Sequence, residues 1–184
     1  MKLLLIRHGK TLENTSGIIM GQLPGTLSRE AIEQAKKLRN KIIDYEIDAV
    51  YSSDLKRCTD TARILTSNTI LTITLDPRLR KISFGAYQGK RYNAIQEDYT
   101  ANMDLSFPKG ESNNSMINRT IAAINDIFEK HRDQTVLVVT HSGPIAAIEA
   151  ALNKISFRAS VLRKADHNQI LEYEISKRLV IPKN

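Results

Sequence analysis

The chain has 184 residues, 41% hydrophobic and 26% charged, with a net charge of +7. That balance fits one soluble globular domain with its own core, spanning 1–184. It excludes a disordered chain, which would need long charge blocks, and a membrane span, which needs roughly 20 apolar residues in a row.

Residues 2–7 (KLLLIR) read as a short buried strand that opens the chain. Ser28 starts a helix with Ile32, Ala35, Leu38 and Ile42 on one face. Residues 48–51 form a second strand and run into Ser52-Ser53-Asp54, a helix-start signal. Leu55, Cys58, Ala62 and Leu65 mark the next amphipathic helix. A third strand is expected over 70–75. Residues 76–112 read as an irregular cap or substrate loop with a short helix near 92–99. A long helix covers about 112–131, with Ile117, Ile121, Ile124 and Phe128 inward. Residues 135–140 (TVLVVT) form a fully buried strand, followed by an Ala-rich helix over 143–152. The segments 169–175 and 178–181 suggest an antiparallel pair at a sheet edge. The fold class is therefore α/β: a three-layer sandwich, its sheet mixed and mostly parallel, with helices on both faces and a small irregular cap.

In such folds ligands sit at the carboxyl ends of the strands. Three strand ends here carry chemistry: Arg7-His8-Gly9, then Ser52-Ser53-Asp54 with Arg57 one turn on, then His141-Ser142-Gly143. Each alone has a bland reading as a structural His or a surface Arg. Their coincidence points to an anion site. Arg57 opposes the helix dipole, which suggests that it is held for an anion, unless Asp54 or Asp60 pairs with it. Ser142 as N-cap, with Pro144 in the first turn, starts a helix whose free N–H groups also suit an anion. A neutral imidazole can attack phosphorus, and Arg and His donors can share the transition-state charge. Gly9 is expected to leave room for a phosphate beside His8. No metal is indicated: the best pair, His8 and His141, lacks a Cys or carboxylate set at ligand spacing.

Several segments resemble the histidine phosphatase superfamily, which includes the cofactor-dependent phosphoglycerate mutases. They are LIRHGKT (5–11), GQLPGTLSREAIEQA (21–35), VYSSDLKRCTDTA (50–62), FPKGES (107–112) and VVTHSG (138–143). The resemblance implies that His8 is the phosphorylated nucleophile and that Arg7, Arg57 and His141 complete the phosphate pocket. It adds Asn14 and Thr11 as further contacts, with Gly21, Ser142 and Lys81 on the substrate side. It implies metal-independent phosphoryl transfer on a small phosphorylated metabolite. A phosphatase is the first reading, because short chains resemble the phosphatases more than the mutases. A phosphoglycerate mutase using 2,3-bisphosphoglycerate is the runner-up. No other cofactor is implied.

One departure matters. LRKISFGAYQG (79–89) resembles a family segment whose first Glu is the general acid, and here Lys81 holds that position while Gln88 replaces the second Glu. Four readings follow: substrates with good leaving groups, a different carboxyl such as Glu13 or Glu111, Lys81 itself as donor, or a phosphate-binding protein with little turnover. The carboxyl and leaving-group readings rank ahead of the other two.

Of the remaining residues, Cys58 reads as core, His131 as structural, and His167 as a turn residue more than a site residue. Lys10 reads as solvent-facing. Phe84, Tyr87 and Tyr92 read as packing before pocket lining, and Lys90-Arg91 as surface charge. With scattered basic residues and few aromatics, no nucleic-acid partner is expected, and no membrane partner. A homodimer is a base-rate expectation. A lone cysteine and no signal-peptide core in 3–6 make the cytoplasm the default location.

Overall fold

The computed structural model describes residues 1–163 and 165–181. In chain order its elements are β1 (Lys2–Arg7), α1 (Leu12–Thr15), α2 (Arg29–Ile42), β2 (Ala49–Ser52), α3 (Lys56–Leu65), β3 (Ile73–Leu75), α4 (Asn113–Lys130), β4 (Thr135–Thr140), α5 (Ser142–Asn153), α6 (Phe157–Val161) and β5 (Ile170–Glu174). The strands form one sheet in the order β3-β2-β4-β1-β5. Only β5 runs antiparallel to its neighbour.

The two apolar faces of the sheet follow from strand alternation. Leu3, Leu5, Val136 and Val138 point to one side, where Ile117, Ile121 and Ile124 of α4 and Ala147 and Ile148 of α5 cover them. Leu4, Ile6, Leu137 and Val139 point to the other side, against Ala35 of α2 and Cys58, Ala62 and Leu65 of α3. Both faces of β1 and β4 are thus dry, so their sequences are continuous apolar runs. No helix among the described residues is long and apolar enough to cross a membrane.

Three expectations are corrected. The third strand begins at Ile73, not 70, because Ile70 is fully exposed. Residues 178–181 form no strand. Leu179 docks on α4 instead, where the Asn125 side chain donates to its carbonyl at 3.0 Å and accepts from its N–H at 2.7 Å. That amide does the work a neighbouring strand would do. The helix expected near 92–99 is only a 3₁₀ turn, Tyr92–Ala94, after which Ile95 is extended. Two short helices went unexpected: α1, capped by Thr11, and α6, capped by Ser156.

Residues 76–112 are irregular, as expected, but they are not detached. Leu79, Ile82, Tyr99, Met103 and Phe107 are buried in the same apolar cluster as α4 and α5. Gly85 holds a turn of this segment against residues 108–110. Its φ is +50°, and a Cβ there would lie 2.1 Å from the Pro108 carbonyl oxygen. Gly85→Ala should cost about 1–3 kcal/mol, read as a lower urea midpoint with an unchanged slope.

Candidate active site

The carboxyl ends of β1, β2 and β4 lie side by side, because the three strands are sheet neighbours in parallel. Their following residues therefore converge. The His8 and His141 rings are 5.0 Å apart, and His8 and His167 are 5.2 Å apart. His8 is 5% exposed and His141 is 1% exposed. Burial, then the Arg57 charge, hold both imidazoles well below the usual histidine range. Both are neutral at physiological pH.

The His8 tautomer follows from its surroundings. Nδ1 lies 2.8 Å from the Gly9 carbonyl oxygen, which can only accept, so Nδ1 carries the proton. No hydrogen bond among the described residues occupies Nε2, whose lone pair is free. At His141, Arg57 donates to Nδ1 at 3.3 Å, which puts the ring proton on Nε2, 3.0 Å from Ser53 Oγ. The Cys58 thiol touches the same ring, 3.3 Å from Nε2. Burial pushes that thiol up to about 12, so it stays protonated and is a poor metal ligand. Cys58 is core, as expected, yet it also backs the site. Among the described residues no group of three or more His, Cys, Asp or Glu is placed to hold a metal ion.

Arg57 is 2% exposed. It donates to the carbonyls of Leu23 and Gly21, each at 2.7 Å. The acidic partners considered for it are engaged elsewhere: Asp54 pairs with Arg80, and Asp60 with Lys56 and Arg63. Arg7 donates from Nη1 to the Ala165 carbonyl at 2.8 Å, while its Nε–H is buried without a partner. Neither guanidinium forms an ion pair among the described residues. A buried cation and a half-buried one, neither with a carboxylate, are costly unless an anion arrives between them.

Lys81 enters from the irregular segment and donates to Ser142 Oγ at 3.1 Å. Burial first, then Arg7 and Arg57, pull its ammonium down to about 7. Its backbone is fixed from several sides. Arg119 donates to the carbonyls of Arg78 and Arg80 at 2.7 Å and of Lys81 at 3.1 Å. Glu111 holds Arg119 at 2.5 Å and accepts from the Ser83 N–H at 2.8 Å. Glu111 therefore braces the Lys81 segment and does not join the pocket as a proton donor. Arg119→Met removes the donor of three carbonyls and should cost about 1–3 kcal/mol, measured by chemical denaturation.

The structure thus brings Arg7, His8, Arg57, Lys81, His141 and Ser142 together. Gly21 joins through its carbonyl on Arg57; its φ of +50° and close approach to Gln88 exclude a side chain. Thr11 and Asn14 are occupied with each other in a capping box at the start of α1. Glu13 sits on the rim, where its carboxylate accepts from the Thr26 N–H at 3.2 Å. Two details need correction. Gly9 makes room for α2, not for phosphate: a Cβ there would lie 3.1 Å from Ala31 Cβ. The N-cap of α5 is His141, and Ser142 is the first helical residue.

His167 also lies beside His8. Its Nδ1 lies 2.6 Å from the His8 carbonyl oxygen, and burial pulls its pKa down to about 4. The signal was its place just before β5. An antiparallel strand beside β1 must begin where β1 ends, beside His8.

The sheet order and the clustered His and Arg side chains make an α/β protein with an anion-ready pocket at its strand ends. The chain belongs to the histidine phosphatase superfamily (branch 1), whose family model matches residues 3–178. Among its relatives is a metal-independent phosphoserine phosphatase from Arabidopsis thaliana. The two are 31% identical over 172 residues, covering 88% of this chain and 72% of that one. An adenosylcobalamin/alpha-ribazole phosphatase from Escherichia coli is 29% identical over 83% of this chain and 79% of its own length. The crystal structure of the alpha-ribazole phosphatase from Shigella flexneri superposes with a TM-score of 0.87 at 27% identity, covering all of this chain and 96% of that one.

Proposed function

We propose that this protein is a phosphatase of small phosphorylated metabolites that works through a phosphohistidine on His8 Nε2. The observation that carries this reading is the state of His8. The ring is neutral, Nδ1–H is spent on the Gly9 carbonyl, and Nε2 stands free beside two guanidiniums that have no carboxylate partner among the described residues. Arg7, Arg57 and His141 would share the three non-bridging oxygens, where charge gathers as the phosphoryl group moves. Water then attacks the phosphorus and returns His8 to its free form. The names of the relatives support a phosphomonoester substrate. The buried free thiol of Cys58 fits a reducing compartment such as the cytoplasm.

The test is phosphate release in the presence of EDTA, over a panel that includes phosphoserine, aryl phosphates and 3-phosphoglycerate. The reading expects release from at least one small phosphomonoester with no metal added. Release that appears only when a divalent metal is supplied would overturn it.

A further inference from the structure

We propose that Lys81 is the acid that protonates the leaving-group oxygen. The proposal rests on the phosphohistidine reading above. Its first support is position. Lys81 Nζ reaches Ser142 Oγ, one residue beyond His141, and a Cβ at Gly143 would lie 3.4 Å from that nitrogen. The ammonium therefore packs against the first turn of α5.

The second support is what Lys81 lacks. No carboxylate pairs with it among the described residues, and its hydrogen-bond partner is a neutral hydroxyl. An ammonium has three N–H donors, so two remain for a ligand. The third support is rigidity. The Lys81 carbonyl accepts from Arg119 and from Gln22 Nε2, each at 3.1 Å, and the preceding Arg80 clasps Asp54. The amine therefore hangs from a fixed backbone, as a proton donor must.

The fourth support is the cavity beside it. Lys81 and Gly143 line a largely apolar space of about 280 Å³ together with Phe84, Ile95 and Met116, and with Glu97 and Asp98, which are engaged by Tyr87 and by Thr100 and Arg158. An alcohol portion lodged there would offer its oxygen to Nζ while the phosphoryl group met His8. Of the two carboxyls considered earlier, Glu111 is held on Arg119, and Glu13 accepts from the Thr26 N–H while its charge reaches Arg57. With its proton held at about 7, Lys81 is poised both to give and to recover it near neutrality.

The step balances as follows. The His8 Nε2 lone pair forms the N–P bond as the P–O ester bond breaks. The ester electron pair passes to the alcohol oxygen, which takes a proton from Lys81 and leaves a neutral amine. In the second step that amine accepts a proton from the attacking water. The N–P bond then breaks, its pair returns to His8, and phosphate departs.

The experiment compares wild type, Lys81→Met, Lys81→Arg and Glu13→Gln on p-nitrophenyl phosphate and on alkyl phosphates such as phosphoserine. A good leaving group needs no proton, whereas an alkoxide does. Lys81→Met should lose about 10²–10⁴-fold on alkyl phosphates and no more than about tenfold on the aryl ester. Lys81→Arg, which keeps the charge but cannot release a proton, should show the same selective loss even if the Met variant folds poorly. The alkyl rate of the wild type should fall above pH ~7 as Lys81 deprotonates, and that limb should vanish in the variants. Equal losses on both substrate types would overturn the proposal and make Lys81 a phosphate-binding residue. A selective alkyl loss in Glu13→Gln but not at Lys81 would overturn it in favour of Glu13. Full activity in His8→Ala is a separate failure, that of the phosphohistidine reading itself.

Discussion

His8→Ala should lower phosphate release by about 10⁴-fold or more on every substrate, good leaving groups included. The expectation follows from the role of Nε2. It is the atom that would bond to phosphorus. His141 cannot stand in, because Arg57 and Ser53 take up both of its ring nitrogens. His167 lies 5.2 Å from His8 and likewise gives its Nδ1–H to a carbonyl, so a His8→Ala/His167→Ala pair would separate any contribution of its Nε2. Affinity for inorganic phosphate should survive the substitution, since Arg7 and Arg57 remain. The fold should survive as well: the side-chain hydrogen bond of His8 runs only to the neighbouring residue. Stopped-assay phosphate release and phosphate binding by calorimetry would measure the two effects separately. Lost turnover with retained binding is the expected pair.

Arg57→Ala should cost about 10²–10³-fold in kcat/KM, the usual loss when one preorganised donor to the transition-state charge is removed. Three consequences of its geometry belong to this prediction. The Gly21 and Leu23 carbonyls lose the donor that pins the loop over the pocket, so KM should rise as well as kcat fall. Stability should change less than the lost hydrogen bonds suggest, because removing a buried cation without a carboxylate offsets part of the loss. The pH profile should also move. Arg57 is the largest electrostatic cause, after burial, that keeps His8 and His141 deprotonated. Without it both imidazoles take up a proton at higher pH, and activity should start to fall at higher pH on the acid side. Arg57→Lys should recover only part of the rate, since an ammonium cannot fork across two carbonyls and an imidazole. Steady-state kinetics across pH for the three proteins measure the rate, KM and pH effects, and chemical denaturation measures the stability.

Much of the arrangement was legible in the sequence, for reasons that particular residues explain. The runs at 2–7 and 135–140 are apolar on both faces because helices cover both faces, so the central strands announced themselves. Placing His8, Arg57 and His141 just beyond strands then brought them together through parallel order alone. Sequence patterns failed where one side chain replaced a regular element. Asn125 pairs with the Leu179 backbone in place of a strand, and the exposure of Ile70 breaks an apparent one. They also failed where a residue served its own neighbourhood. Thr11 and Asn14 cap a helix of four residues, and Glu111 grips Arg119 from the other side of the segment that carries Lys81. The cost of Gly9 to a side chain lies against Ala31, a contact made 22 positions along the chain that no local pattern encodes.

The central claim is that phosphate passes through His8. Its most direct measurement is to mix enzyme with a turned-over phosphomonoester, quench in base, where phosphohistidine survives, and locate the modification by tandem mass spectrometry. A phosphoryl group on the His8 ring, formed fast enough to account for turnover and absent in His8→Ala, is the result expected. Steady phosphate release at saturating substrate with no phosphoryl group on His8, and with the same rate in His8→Ala, would contradict the account.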